Sequence, residues 1–308
     1  MNEITAKSAY FIKLGRKGRW EKQSIEDNNA IRLGFENPLH SACLAGQWDK
    51  VYEYWISQGK IKRKATETRN QIKTFYESDE ETLWITFFNR KLYWCFTEKE
   101  VKQSDNGERT RNVKGKWECH DIQGKLLTIE NLSGKLTKVQ GFQGTICKVK
   151  ELEYLIRKIN HQKLPEVEKA GKTLDTLVKE VEPLIQNLTW KDFELLVDLI
   201  FTHSGWQRIS VLGKTEKSID LELMSPVTGN KAFVQIKSES KMTEFEDYIR
   251  RYKGMKDQFQ EMYYVVHTTN NSFSKWEDTT DIKLWNVAKL SLLVVDPGMI
   301  RWLIEKTS

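Results

Sequence analysis

The chain has 308 residues, of which 39% are hydrophobic and 30% charged, with a formal net charge of +6. That length allows two domains with cores of their own, and that balance excludes a disordered chain. The mild basicity suits a polyanionic partner without demanding one, and no apolar run reaches the roughly 20 residues that a membrane span needs.

Residues 9–14 (AYFIKL) read as a strand, followed by a turn, Gly15-Arg16-Lys17-Gly18-Arg19, dense in positive charge. A short helix over 20–28 and a strand over 30–35 come next. Pro38 opens a helical stretch with Trp48, Val51, Tyr52 and Trp55 at helical spacing, and 60–76 is a second helix. A hairpin rich in aromatic and β-branched residues joins 82–88 (TLWITFF) to 92–97 (LYWCFT) through Asn89-Arg90-Lys91. A polar loop over 104–111 and short strands near 115–120, 126–130 and 144–149 complete the first half. Residues 151–187 are charged and helical with one break at Leu164-Pro165, and are expected to be a linker with a solvated face.

The second half opens with Thr189, which caps a helix over 190–203 with Phe193, Leu196, Val197 and Ile200 on one stripe. Strands follow at 206–212, 219–224 and 232–238, the last two joined by a Pro-Val-Thr-Gly-Asn turn at 226–230. An amphipathic helix over 243–260, a buried strand over 261–268, a helix or strand over 289–295 and a terminal helix over 299–306 close the chain. Strands alternating with helices predict an α/β sandwich for 188–308.

The four cysteines, Cys43, Cys95, Cys119 and Cys147, form no CxxC pair, so neither a zinc ribbon nor a disulfide framework organises the chain. The opening MNEITAKSAYFIKLG lacks a basic-then-apolar leader, and a cytoplasmic location is expected. The Gly15–Gly18 turn has no GK[ST] and is no nucleotide P-loop.

Chemistry concentrates in SIDLEL (218–223) and FVQIKS (233–238). Side chains alternate along a strand, so Ile219, Leu221 and Leu223 share one face, and Asp220 takes the other with Ser218 and Glu222. In the partner strand Ala232, Val234 and Ile236 face the core, which groups Gln235 and Lys237 with Asp220 on one exposed surface. An acid, an amide oxygen and an ammonium at one place fit phosphodiester hydrolysis. The oxygens hold a hard divalent cation, Mg²⁺ or Mn²⁺, and the ammonium stabilises charge developing on phosphorus oxygens. Glu194, on the helix before, is the natural third acid. Glu216, Glu222 and Glu239 flank these positions and leave the ligand set among the acids open. Lys241, Arg250, Arg251, Lys253 and Lys256 form either a phosphate-facing helix surface or a solvated one, and His203 and His267 read as structural.

The ordered set DFELLVDLIFTHSGW, VLGKTEKSIDLEL and FVQIKS resembles the catalytic core of Mrr-like restriction endonucleases of the PD-(D/E)XK superfamily. The resemblance covers roughly 188–304, within a nuclease domain expected over 188–308, and implies a restriction-endonuclease-like fold around a central mixed sheet. It also implies Mg²⁺-dependent cleavage of DNA, with Asp220, Gln235, Lys237 and Glu194 catalytic and Asp220, Gln235 and Glu194 on the metal. The first half, 1–150, weakly resembles PUA/EVE-like β-barrels, which hold a modified or flipped base in an aromatic pocket. That implies stacking on Trp20, Trp84 or Trp94, with Arg16, Lys17 and Arg19 on phosphates.

The chain is thus expected to be an α+β two-domain DNA endonuclease of restriction or defence type, type IV-like, directed at modified DNA. Two centres are needed to cut both strands, so a homodimer is expected, and no membrane partner is. Two rivals remain at this point: a nucleic-acid-binding protein with an inert nuclease fold, and a nuclease gated by a small nucleotide signal.

Overall fold

A computed structural model describes residues 3–104, 107–209, 219–269, 273 and 276–308, and divides into two units, Met1–Leu164 and Pro165–Ser308.

The first unit runs β1 (Ser8–Ile12), β2 (Ala30–Leu33), α1 (His40–Leu44), α2 (Trp48–Ser57), α3 (Lys62–Glu77), β3 (Thr82–Phe88) and β4 (Lys91–Cys95). It continues β5 (Lys102–Gln103), β6 (Arg109–Asn112), α4 (Gly134–Thr137), β7 (Ile146–Lys148) and α5 (Leu152–Ile159). The helix expected after Pro38 is two helices, because Gly46 takes φ 67 between them. The helix expected over 20–28 is a π-helical turn, Gln23–Asp27.

The expected closed barrel is absent among the described residues. Two open sheets stand in its place, ordered β4-β3-β1-β7 and β2-β6-β5. The cause is the parallel pairing of β1 with β3, which sends the chain through three helices instead of chaining hairpins round a ring. Of the strands expected after residue 115, only β7 forms; 118, 126 and 128 make isolated bridges.

The loop expected over 104–111 contains β6, whose Arg109 and Arg111 are fully buried. Each buried guanidinium is met by oxygens: Arg109 donates to Tyr76 Oη at 3.1 Å, and Arg111 donates to the Glu98 and Phe75 carbonyls at 2.8 and 2.9 Å. Burial pulls Arg111 down to about 10, which leaves it charged at neutral pH.

The second unit comprises α6 (Pro165–Gln186), α7 (Trp190–His203), β8 (Gln207–Arg208), β9 (Leu221–Met224), β10 (Lys231–Ser240) and α8 (Met242–Lys253). After these come β11 (Glu261–Thr269), β12 (Ile282–Trp285), α9 (Val287–Val295) and α10 (Ile300–Thr307). The expected linker 151–187 is shared between the units. Its α5 buries Leu155 and Ile159 in the first core, and its α6 buries Val181 and Ile185 in the second.

The mixed sheet of the second unit is ordered β12-β11-β10-β9-β8, with β10, β11 and β12 parallel and β9 antiparallel to β10. One face packs Ala232, Val234, Tyr263 and Val265 against Phe193, Leu196, Val197 and Phe201 of α7. The other packs Phe233, Tyr264 and Val266 against Phe245, Tyr248 and Tyr252 of α8. The crossover helix α8 between the parallel strands β10 and β11 covers one face, and α7 covers the other. Strand β12 falls in a stretch with no expected element, and α8 stops at Gly254 rather than running to 260.

Candidate active site

The site is built at the junction of α7, β9 and β10. Thr189 caps α7 by accepting the Asp192 N–H at 3.3 Å, which sets the helix start and places Phe193 in the core. Glu194 follows Phe193 and is therefore half-buried at the edge of that interface. Asp220 lies just before β9 and its N–H donates to the Val234 carbonyl at 3.1 Å, so the pairing with β10 already holds it.

Asp220 Oδ2 accepts two hydrogen bonds, from the Ile236 N–H at 2.6 Å and from Gln235 Nε2 at 2.5 Å. Gln235 is only 4% exposed, and its Oε1 is buried without a partner. The expected exposed surface is thus a covered one: α8 lies over the Gln235–Lys237 face of β10. Ile219 also departs from the expected alternation. It packs with Phe233 and α8, while Leu221 and Leu223 pack with α7, because the regular strand begins only at Leu221.

Lys237 pairs with Glu244 Oε1 of α8 at 2.9 Å and stands 5.7 Å from the centre of the Tyr248 ring. Ser240 Oγ donates to the other Glu244 oxygen at 3.1 Å and meets Tyr264 Oη at 2.6 Å. The hydrogen bond that Lys237 donates to Glu244 is the main reason the ammonium is held above its ordinary pKa, with a smaller contribution from the Asp220 charge. Burial raises Asp220, against the Ile236 N–H and the Lys237 charge, which lower it. Burial also raises Glu194, reinforced by the Asp220 charge and opposed by Arg208. Asp220 is therefore within electrostatic range of both the Glu194 carboxyl and the Lys237 ammonium.

Among the described residues no three of His, Cys, Asp and Glu converge, so a cation here would have two carboxylates and the Gln235 amide as side-chain ligands. The residues fit one. Oε1 of Gln235 has no donor, and a half-turn of the amide would set it beside Asp220 Oδ2, a placement of two oxygens that a shared cation makes favourable while Asp220 is ionised. An all-oxygen set is that of Mg²⁺ rather than of a softer metal.

Glu222 sits opposite Phe233, and Glu239 is exposed; Glu216 and Ser218 lie outside the described residues, as does the end of the strand expected over 206–212. On α8, Arg250 pairs with Asp247 and Arg251 covers the Tyr248 ring at 4.9 Å. Lys256, beyond the helix, pairs with Asp281 at 2.7 Å. His203 is exposed, and His267 is buried edge-on to Phe193 at 4.5 Å. Sequence reasoning did not find Glu244, Ser240 or Tyr248. Their signal was the amphipathic helix directly after FVQIKS, which must return its first turn over Lys237.

In the first unit Trp84 and Trp94 are 0% and 4% exposed, so neither offers a face for a base. Trp20 is half-buried, with the Arg19 and Arg32 guanidiniums 4.4 and 4.1 Å from its ring centre. Gly15 and Gly34 abut that ring so closely that a methyl at either would stand 2.8 or 2.7 Å from it. Arg16, Lys17 and Arg19 share the cleft that Trp20 lines.

A mixed sheet with an acid, an amide and a lysine gathered where β9 and β10 pair is the arrangement of a PD-(D/E)XK-type nuclease domain. Residues 185–293 match the family model of the Mrr catalytic domain, described as a restriction endonuclease, and the C-terminal part of the chain is such a domain. No curated protein matches the chain.

Proposed function

We propose that the chain is a Mg²⁺-dependent DNA endonuclease of restriction or defence type, whose second unit cuts and whose first unit selects the DNA, including modified DNA. The observation that carries this reading is the Asp220–Gln235–Lys237 cluster, with Glu194 within range of Asp220, inside the segment that matches the endonuclease family. Asp220, Glu194 and the Gln235 amide oxygen hold the cation. A bound Mg²⁺ supplies neutralisation of phosphate charge and lowers the pKa of water. Asp220 is aimed by the Ile236 N–H, which fixes its carboxylate before any ligand arrives. Lys237 donates to a non-bridging phosphate oxygen and stabilises the charge that grows there. Glu244 holds that ammonium until the phosphate replaces it.

Plasmid cleavage with Mg²⁺ is the test. Wild type cuts, Lys237→Ala loses about 10²–10³-fold, and Asp220→Ala falls to background. Equal cutting by all three proteins sinks the assignment. The same assay on methylated and unmethylated plasmid tests the selection, and light scattering with DNA tests the expected homodimer. No helix among the described residues is long and apolar enough to cross a membrane.

A further inference from the structure

The first unit carries two clefts, of about 640 and 680 Å³, that meet at Gln143–Gly144. The first is lined by Lys13, Arg16, Lys17 and Arg19 with one acid, Glu21. The second is lined by Lys60, Arg63 and Lys64, again with one acid, Glu67. Seven cations against two acids make an excess of five at one place, in a chain whose whole formal excess is six. Such a concentration is not what an evenly solvated surface produces.

The place is built, not incidental. Gln71 Oε1 accepts the Thr145 and Ile146 N–H groups at 2.6 and 2.9 Å, and Lys13 Nζ donates to the Phe142 carbonyl at 2.7 Å. These bonds fix the shared wall against α3 and β1. At the other side the loop 15–19 doubles back with positive φ at Gly15, Lys17 and Gly18, and so presents three cations within five residues. Arg16, Lys17, Arg19, Arg63 and Lys64 are exposed, while the aromatic Trp20 is packed under guanidiniums and glycines. Exposed cations spread over two joined clefts, with the Trp20 ring covered, suit a polymer's phosphates better than an enclosed base or nucleotide.

We propose that these joined clefts form one groove that binds the phosphate backbone of a nucleic acid. The choice of DNA as that polymer rests on the nuclease reading of the second unit; the groove itself does not.

The experiment uses the full chain in EDTA, so that cutting and binding are separated, and a short fluorescent duplex read by anisotropy over a salt series. Two triple variants are compared with wild type: R16Q/K17Q/R19Q in one cleft and K60Q/R63Q/K64Q in the other. Each is expected to lose about tenfold or more in affinity and to flatten the slope of log K on log salt by about 2–3. R16K/R19K, which keeps the charge, is expected to bind as wild type. Circular dichroism melts check that the variants remain folded. A loss in only one of the two triple variants overturns the continuous groove, and unchanged binding in both overturns it altogether. Displacement of the duplex by micromolar ATP overturns the polymer in favour of a nucleotide pocket. A wild type that binds here but never cuts leaves this proposal standing and removes the nuclease reading instead.

Discussion

Gln235→Glu is the substitution that most directly interrogates the site. The side chain is 4% exposed and its Nε2 donates to Asp220 Oδ2 at 2.5 Å. A carboxylate there would replace that donor by a like charge, whereas a protonated carboxyl would keep the bond. Holding an ordinary glutamic acid, pKa about 4.3, protonated at pH 7 costs about 3.7 kcal/mol, which caps the loss of stability. For a unit of this size that lowers the melting temperature by about 7–15 °C. The new carboxyl is raised in the folded state, so the folded protein holds a proton that the unfolded one has released. Stability is therefore regained as pH falls, by about 1.4 kcal/mol per pH unit from 7 towards 5, and the difference from wild type closes near pH 4–5. Added Mg²⁺ should narrow the gap at pH 7 as well, since the carboxylate becomes a ligand. Thermal melts of both proteins between pH 5 and 8, with and without Mg²⁺, read all of this. A gap that does not change with pH would refute the placement of Gln235 against Asp220.

Glu244→Gln removes the partner that does most to raise the Lys237 pKa, so the ammonium is lost at lower pH and the alkaline limb of the cleavage profile moves down. An unmoved limb, with Glu244→Asp behaving the same, would show that Glu244 does not act on Lys237. His267 is lowered by burial, chiefly through desolvation, and its Nε2 has no partner. Its contribution is full above the unfolded value near 6.5 and declines as pH falls below it, so His267→Phe should flatten the loss of stability between pH 7 and 5.5 in urea unfolding. Parallel curves for the two proteins would contradict that.

Where strands and helices announce themselves by period, the sequence reading and the structure coincide to within a few residues. The α7 stripe and the 82–95 hairpin are examples. Arg109 and Arg111 show why 104–111 was not legible: charged residues read as surface, yet oxygens from distant segments accept from both guanidiniums inside the core. The tryptophans mislead in the opposite sense. The PUA/EVE-like resemblance implied stacking on Trp84 and Trp94, but both are buried, and Trp84 faces Phe75 and Tyr10 at 6.0 and 5.7 Å. The barrel failed for a topological reason: strand propensity does not say whether 8–12 and 82–88 run parallel, and here they do.

At the site, period-two alternation in β10 was enough to group Gln235 with Lys237, because that strand is regular for ten residues. It was not enough to say that the face is covered, since coverage comes from α8 and the sequence spacing shows only that a helix follows. The coverage matters chemically. Burial raises both Asp220 and Glu194, so an apo site of two acids already opposes ionisation, and a third carboxylate at 235 would sharpen that conflict. An amide there resolves it: it donates to Asp220 while the site is without a cation and, turned over, offers an oxygen when one is present. An amide rather than a carboxylate at 235 therefore spares the cation-free site that conflict and, on the function proposed above, leaves cation affinity to Asp220 and Glu194.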